Sequence, residues 1–177
     1  MKVSMMIGTA AAVAVAGSSY ADIDVAFDIS GPGGNTIEYV LDLQGALDGV
    51  AVAVDFTNDG GWTWAGDLLL GFIDPNGNAV EFGGYDMSFG FETAGDFDSS
   101  WDSSTSGAYA TNIALADFGL SGAGAWTIMV ADGYSSGADT DHWTGVLGLE
   151  GVEAVPAPGA VALLGLAGLA GRRRRTS

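Results

Sequence analysis

Ile23-Asp24-Val25-Ala26-Phe27-Asp28-Ile29 alternates apolar and polar residues without a break. As a β-strand it puts Ile23, Val25, Phe27 and Ile29 on one face and Asp24 and Asp28 on the other. A one-residue slip would bury both aspartates, so the register is set by the sequence itself. The pattern predicts a half-buried strand whose apolar face needs a second layer.

Similar short runs follow along the chain, bounded by Gly, Asn, Asp and Ser clusters. Strands are expected at 22–30, 36–43, 50–56, 67–74, 79–82, 86–91, 110–116, 126–132 and 143–149. Helical periodicity is absent from this region, and strand-and-turn spacing of this kind predicts an all-β sandwich or barrel. Asp74-Pro75-Asn76-Gly77 is a turn with a mechanism: proline presets φ, asparagine tolerates the third position and glycine closes. It is expected to join 68–73 to 79–82 as a hairpin. The stretch 92–107, with Asp96, Asp98 and Asp102 among serines around Trp101, reads as a long polar surface loop. No repeat of solenoid or propeller length is present.

Charge is distributed unevenly. The chain has 22 Asp+Glu against 5 Lys+Arg, and its formal net charge is −17. The five bases are Lys2 and Arg172 to Arg175, whereas every acid lies between Asp22 and Glu153. The segment 22–154, roughly 130 residues and one domain's worth, therefore has no Lys or Arg and a single histidine, His142. Nucleic acid and anionic head groups are excluded as partners on electrostatic grounds. With no cysteine, disulfides, thiolate metal sites and thiol nucleophiles are excluded as well.

Both ends differ from this body. Residues 1–21 read as a signal peptide: Lys2 gives a positive start, 5–17 is small and apolar, and Ser19-Tyr20-Ala21 puts small residues at the positions a signal peptidase reads. Cleavage is expected after Ala21, with Ala14-Val15-Ala16 as a second possible site. At the other end, Val155-Pro156-Ala157-Pro158 precedes an apolar run from Gly159 to Gly171 and then Arg172, Arg173, Arg174 and Arg175. The prolines end the folded body. As a helix, 157–171 spans roughly 22 Å, short of the ~30 Å hydrocarbon core, so it enters a membrane but anchors poorly. The arginines would stay at the cytoplasmic face.

The order of proline motif, short apolar segment and arginine block at 155–177 resembles the PEP-CTERM class of bacterial sorting signals. Ala157 stands where an acidic residue is usual. The resemblance implies processing by an exosortase-type transpeptidase, transient membrane attachment through the C-terminal segment, and delivery to the cell envelope, outer surface or extracellular matrix. A plain short membrane anchor is the alternative.

A second resemblance lies within the body. Gly66-Asp67-Leu68-Leu69-Leu70-Gly71-Phe72-Ile73-Asp74-Pro75-Asn76-Gly77 looks like the strand-turn of the P domain (Homo B) of proprotein convertases. Gly124-Ala125-Trp126-Thr127-Ile128-Met129-Val130-Ala131-Asp132, followed by His142-Trp143-Thr144-Gly145-Val146-Leu147, looks like its closing hairpin. Asp139-Thr140-Asp141-His142 departs from the family's usual turn. Over about 48–151 the resemblance implies a jelly-roll-like β-sandwich. The expected organisation is thus an N-terminal signal helix, a sandwich over 22–154, and a short C-terminal transmembrane sorting helix.

The sequence gives little support for catalysis. His142 is the sole candidate base of a serine triad, and no serine has a nucleophile-elbow context. With this many acids, a carboxylate pair of the kind glycosidases use carries no weight. No cofactor is required, and no enzymatic activity is expected. Calcium is the candidate ligand because all available donors are hard oxygens. Asp55 to Gly60 opens like an EF-hand loop, but Gly66 replaces the twelfth-position glutamate, and strands are expected on either side. The preferred calcium set is Asp67, Asp132, Asp139 and Asp141, if the closing hairpin brings them together. Trp62, Trp64 and Trp101 lie near turns, where they either pack on the sandwich edge or stack on sugar rings of an extracellular polysaccharide. The sequence therefore favours a non-catalytic surface protein with an adhesion or matrix role. A carbohydrate-binding module is the first alternative, and an accessory domain linked to proteolysis or a small hydrolase is the second.

Overall fold

The computed structural model describes residues 23–30, 35–134 and 141–154. The expected signal segment with Ala21, the sorting tail with Val155, Pro156, Pro158 and Arg172 to Arg175, and Asp139 all lie outside these residues. The two flanking helices expected there are likewise outside them.

Strand β1 (Ile23–Ser30) buries every second side chain, as its alternation requires. It pairs with β9 (His142–Glu150), which pairs with β3 (Gly49–Thr57), which pairs with β7 (Gly107–Ile113). All three pairings are antiparallel. The second sheet runs β10 (Glu153–Ala154), β2 (Thr36–Gln44), β8 (Gly124–Asp132), β4 (Leu68–Ile73), β5 (Ala79–Gly83), β6 (Glu92–Gly95). Only its β5–β6 pair is parallel. The chain switches sheets repeatedly, so the inward faces of both sheets share one core.

That core takes Val25, Phe27, Val52, Val54, Phe56, Trp143 and Leu147 from the first sheet, and Leu68, Leu70, Phe72, Trp126, Ile128 and Val130 from the second. Each fully buried side chain of this size contributes roughly 1.5–3 kcal/mol. Glycine at 145 is a packing requirement. A Cβ there would meet Ala53 O at 2.5 Å, Val54 Cγ1 at 2.7 Å and Phe27 Cζ at 2.8 Å.

Four expectations change. Residues 86–91 are not a strand but part of a strap across the outer face of the second sheet, where Phe89 lies over Gly71. Buried Glu81 holds the strap by accepting from Ser88 Oγ at 2.7 Å and from Phe89 N–H at 2.9 Å. The stretch 92–107 is not simply a surface loop: it opens with β6 and drives Phe97 and Trp101 into the core. Their rings stack at 4.5 Å. The strand expected at 110–116 begins and ends three residues early, and Leu115–Phe118 forms a single 3-10 turn instead. The closing hairpin expected from 124–132 and 142–147 does not form: β8 pairs with β2 and β4 in the second sheet, and β9 with β1 and β3 in the first. The turn at 74–77 forms as expected. Asp74 O accepts from Gly77 N–H at 3.0 Å, and the Asp74 carboxylate accepts from the backbone N–H of Asn76 and Asn78 at 2.8 Å each.

Candidate functional site

Asp67 begins the site, at the entry to β4. Its preceding residues form a short 3-10 turn, Ala65–Asp67, tied to the 101–103 segment. Ala65 N–H donates to Ser103 O at 2.9 Å, and Gly66 N–H to Trp101 O at 3.0 Å. The Asp67 carboxylate accepts the Trp64 N–H at 2.7 Å, closing the turn on itself. Its carbonyl accepts Gly133 N–H at 2.8 Å, just beyond β8. Gly133 O in turn takes the consecutive N–H groups of Tyr85, Asp86 and Met87 at 3.1, 3.2 and 3.1 Å. A Cβ at Gly133 would come within 2.5 Å of both Asp67 O and Gly84 Cα, so this junction admits only glycine.

The result is a cleft of about 140 Å³ at one end of the sandwich, lined by Trp64, Gly66, Asp67, Gly84, Tyr85, Asp96, Phe97 and Asp102. Asp67 is 7% exposed, whereas Trp64 and Tyr85 are 47% and 76% exposed. Trp62, at 82%, stands two residues before Trp64. Burial lifts the Asp67 carboxyl to about 6; the Trp64 hydrogen bond opposes the rise, and the charges of Asp86, Asp141 and Asp102 add to it.

The inner wall is braced by the core. Aromatic rings run from Phe97 through Trp101, Tyr109 and Phe56 to Trp143, with centroids 4.5, 5.5, 6.3 and 5.1 Å apart. Trp143 Nε1–H then donates to Ala65 O at 3.1 Å, returning the chain of contacts to the cleft floor.

Of the expected calcium ligands, Asp67, Asp132 and Asp141 are all buried. Asp132 directly precedes Gly133, and its Oδ1 accepts Tyr134 N–H at 2.9 Å. Asp141 is 2% exposed; Oδ1 accepts Asp59 N–H at 3.1 Å, while Oδ2 is buried with no hydrogen-bond partner. Its charge reaches Asp67. Among the described residues, no three acidic or histidine side chains converge as a metal-holding group.

His142 turns away from Asp141. Its Nε2 lies 2.6 Å from Asp28 Oδ1 on β1 and 3.2 Å from Thr144 Oγ1. Both contacts fall on one nitrogen, whereas a relay between acid and nucleophile needs one on each. Trp101 is wholly buried and unavailable to a ligand, while Trp62 and Trp64 remain accessible. Sequence reading singled out Asp67 but missed Tyr85, Asp96, Asp102 and Phe97 as its neighbours. The available signal was Phe97 and Trp101, two large apolar residues in an otherwise polar stretch.

No protein-family model matches the chain, and no curated protein sequence matches it either. Among the described residues, no helix is long and apolar enough to cross a membrane.

Proposed function

We propose that the chain is a non-catalytic, exported cell-surface protein: one β-sandwich of the jelly-roll, P-domain kind, carried out by its N-terminal signal and processed at its PEP-CTERM-type tail. Its role on this reading is adhesion or matrix building. The observation that carries it is the partition of charge: all 22 Asp and Glu lie between Asp22 and Glu153, whereas every Lys and Arg lies in the two flanking segments that read as sorting signals. Mass spectrometry of the protein recovered from its producing cells tests this. A mature chain starting at Asp22 and lacking Arg172 to Arg175 is expected; an intact chain in the cytosol would overturn it.

A binding-module reading has its own support. Trp62, Trp64 and Tyr85 expose aromatic surface beside a built cleft, which is how carbohydrate-binding surfaces hold sugar rings. Retention on a polysaccharide column, lost in Trp62→Ala or Trp64→Ala, tests that reading.

A further inference from the structure

We propose that the free margin of β7 is a self-association surface. A second copy of this chain adds its own β7 antiparallel to the first about a two-fold axis, and two four-stranded sheets join into one. This does not depend on where the protein is delivered or on what the cleft binds.

A strand at the margin of a sheet turns every second N–H and C=O outward, and it templates further pairing unless something blunts it. Three margins of the described sheets are blunted. On β1, Tyr39 Oη donates to Ala26 O at 2.8 Å and Asn35 Nδ2 to Ser30 O at 2.8 Å, which occupies backbone acceptors of that strand. β6 has only four residues and pairs with β5 through a shifted register. β2 is covered at Leu43 and Gln44 by β10, and its open remainder carries Glu38 and Asp42. β7 has none of these devices. It pairs with β3 without a shift over Gly107–Ile113, and among the described residues no strand lies beyond it.

Charge selects a second copy as the occupant. With no Lys or Arg in 22–154, a strand of this body can repel its own double only with carboxylates. Antiparallel self-pairing sets residues equidistant from the axis opposite one another. About Ala26 of β1, Asp24 of one copy would face Asp28 of the other; about Val40 of β2, Glu38 would face Asp42. Like charges directly opposite are destabilising. β7 carries no charge, and neither does any position from 103 to 116. About Ala110, the pairing sets Ala108 against Asn112, Tyr109 against Thr111 and Ala110 against itself. Ala108, Ala110 and Asn112 are exposed and short. Across the sheet Ala110 stands in one row with Ala53, Val146 and Ala26, so no long side chain in that row overhangs the join. The two bodies still repel through the rest of their acids, so association strengthens as salt screens them.

The chain has no cysteine, so a single introduced one reports its own neighbours. Full-length Ala110→Cys and Val40→Cys are oxidised separately in neutral detergent at about 0.5 M sodium chloride. Across the axis the two introduced thiols sit on Cα atoms about 4.5–5.5 Å apart, within disulfide reach, so Ala110→Cys should give a covalent dimer. Val40 is exposed on β2, and its variant reports association through other surfaces, the apolar tail included; it should stay monomeric. Sedimentation equilibrium in density-matched detergent follows the parent, which should dimerise with concentration and more tightly as sodium chloride rises. Ala110→Asp, an exposed change that opposes two carboxylates across the axis, should weaken the dimer at least about tenfold. Circular dichroism checks that each variant is folded. Equal cross-linking of the two cysteine variants, or none from Ala110→Cys, would overturn the β7 interface. So would a parent that is monomeric at every concentration, or an Ala110→Asp variant that dimerises as well as the parent.

Discussion

Asp67 and Asp74 bracket β4, one at each end of the same strand, and the fold drives their carboxyls in opposite directions. Both are buried. At Asp67, burial and three neighbouring acids outweigh one backbone hydrogen bond, and the carboxyl rises to about 6. At Asp74, burial also works to raise it, but donors from Asn78, Ser121 and Asn76 together overcome that, and the carboxyl is lowered. Hydrogen-bond supply, rather than depth, decides the sign.

For Asp67 the linkage is unfavourable at neutral pH. Its folded value of about 6 lies above the unfolded value of about 3.9. Its contribution is fully present below about pH 4 and is lost as pH rises through about 6. Asp67→Asn removes that loss and can still accept the Trp64 N–H. Two pH units bound the effect at ~2.7 kcal/mol; solvation from the cleft reduces the expected gain at pH 7 to about 1–2 kcal/mol. Thermal melts at pH 4 to 7 check it: the variant should melt higher at pH 7 and converge with the parent near pH 4. Parallel curves would contradict the linkage.

For Asp74 the linkage reverses. The contribution is present above the unfolded value and is lost as pH falls through the lowered folded one. Asp74→Ala would strand the backbone N–H groups of Asn76, Asn78 and Ser121, and should destabilise the fold by about 2–3 kcal/mol in urea unfolding. Asp74→Asn keeps one acceptor oxygen and should fall between.

Three tryptophans are fully buried and differ in one atom. Trp126 Nε1–H donates to Gly122 O at 3.0 Å and Trp143 Nε1–H to Ala65 O at 3.1 Å, while Trp101 Nε1 has no partner. Replacing Trp101 by Phe discards an unsatisfied donor along with volume. Trp126→Phe and Trp143→Phe should each cost about 1–2 kcal/mol more than Trp101→Phe in the same denaturant series. Equal losses would mean that volume alone governs these sites.

Gly145→Ala should destabilise by about 3 kcal/mol, because the new methyl faces the Ala53 carbonyl and the Phe27 ring at once. Phe27 can retreat, but the carbonyl belongs to a paired strand. A variant melting within a degree or so of the parent would show that the two strands yield more readily than their pairing implies.

Screening should stabilise the body. With every acid and no Lys or Arg in 22–154, self-repulsion opposes compaction. Raising sodium chloride from about 0.02 M to about 0.5 M shortens the screening length from roughly 20 Å to roughly 4 Å. The melting temperature should rise by a few degrees over that range, followed by circular dichroism. A flat response would place the carboxylates too far apart to interact.

The fold was legible where apolar alternation is uninterrupted. β1, β2, β3, β4, β5, β8 and β9 all form within two residues of the bounds read from sequence, and the 74–77 turn has the chemistry its residues announce. Sequence reading failed where an anchor was surrounded by polar residues. Phe97 and Trp101 sit among aspartates and serines, so their neighbours' composition masked two core positions. It failed also at 86–91, whose Phe89 and Phe91 resemble strand residues locally but cover the outside of a sheet. For the site, Asp67 was visible beside β4, but its partners come from segments 17 to 35 positions away in sequence. No spacing rule links them, because the link is made by backbone hydrogen bonds at Gly66 and Gly133.

The pairing of β1 with β9 has a consequence for biosynthesis. The first strand lies at the margin of its sheet and pairs with β9 alone, a strand that ends at Glu150. β2 and β3 likewise find their partners among β7 to β10. Nothing near the amino terminus can close into a sheet while the ribosome is still adding the middle of the chain. Such late closure leaves the early strands without partners until almost all of the chain has been made, so the sandwich forms only once synthesis is nearly complete.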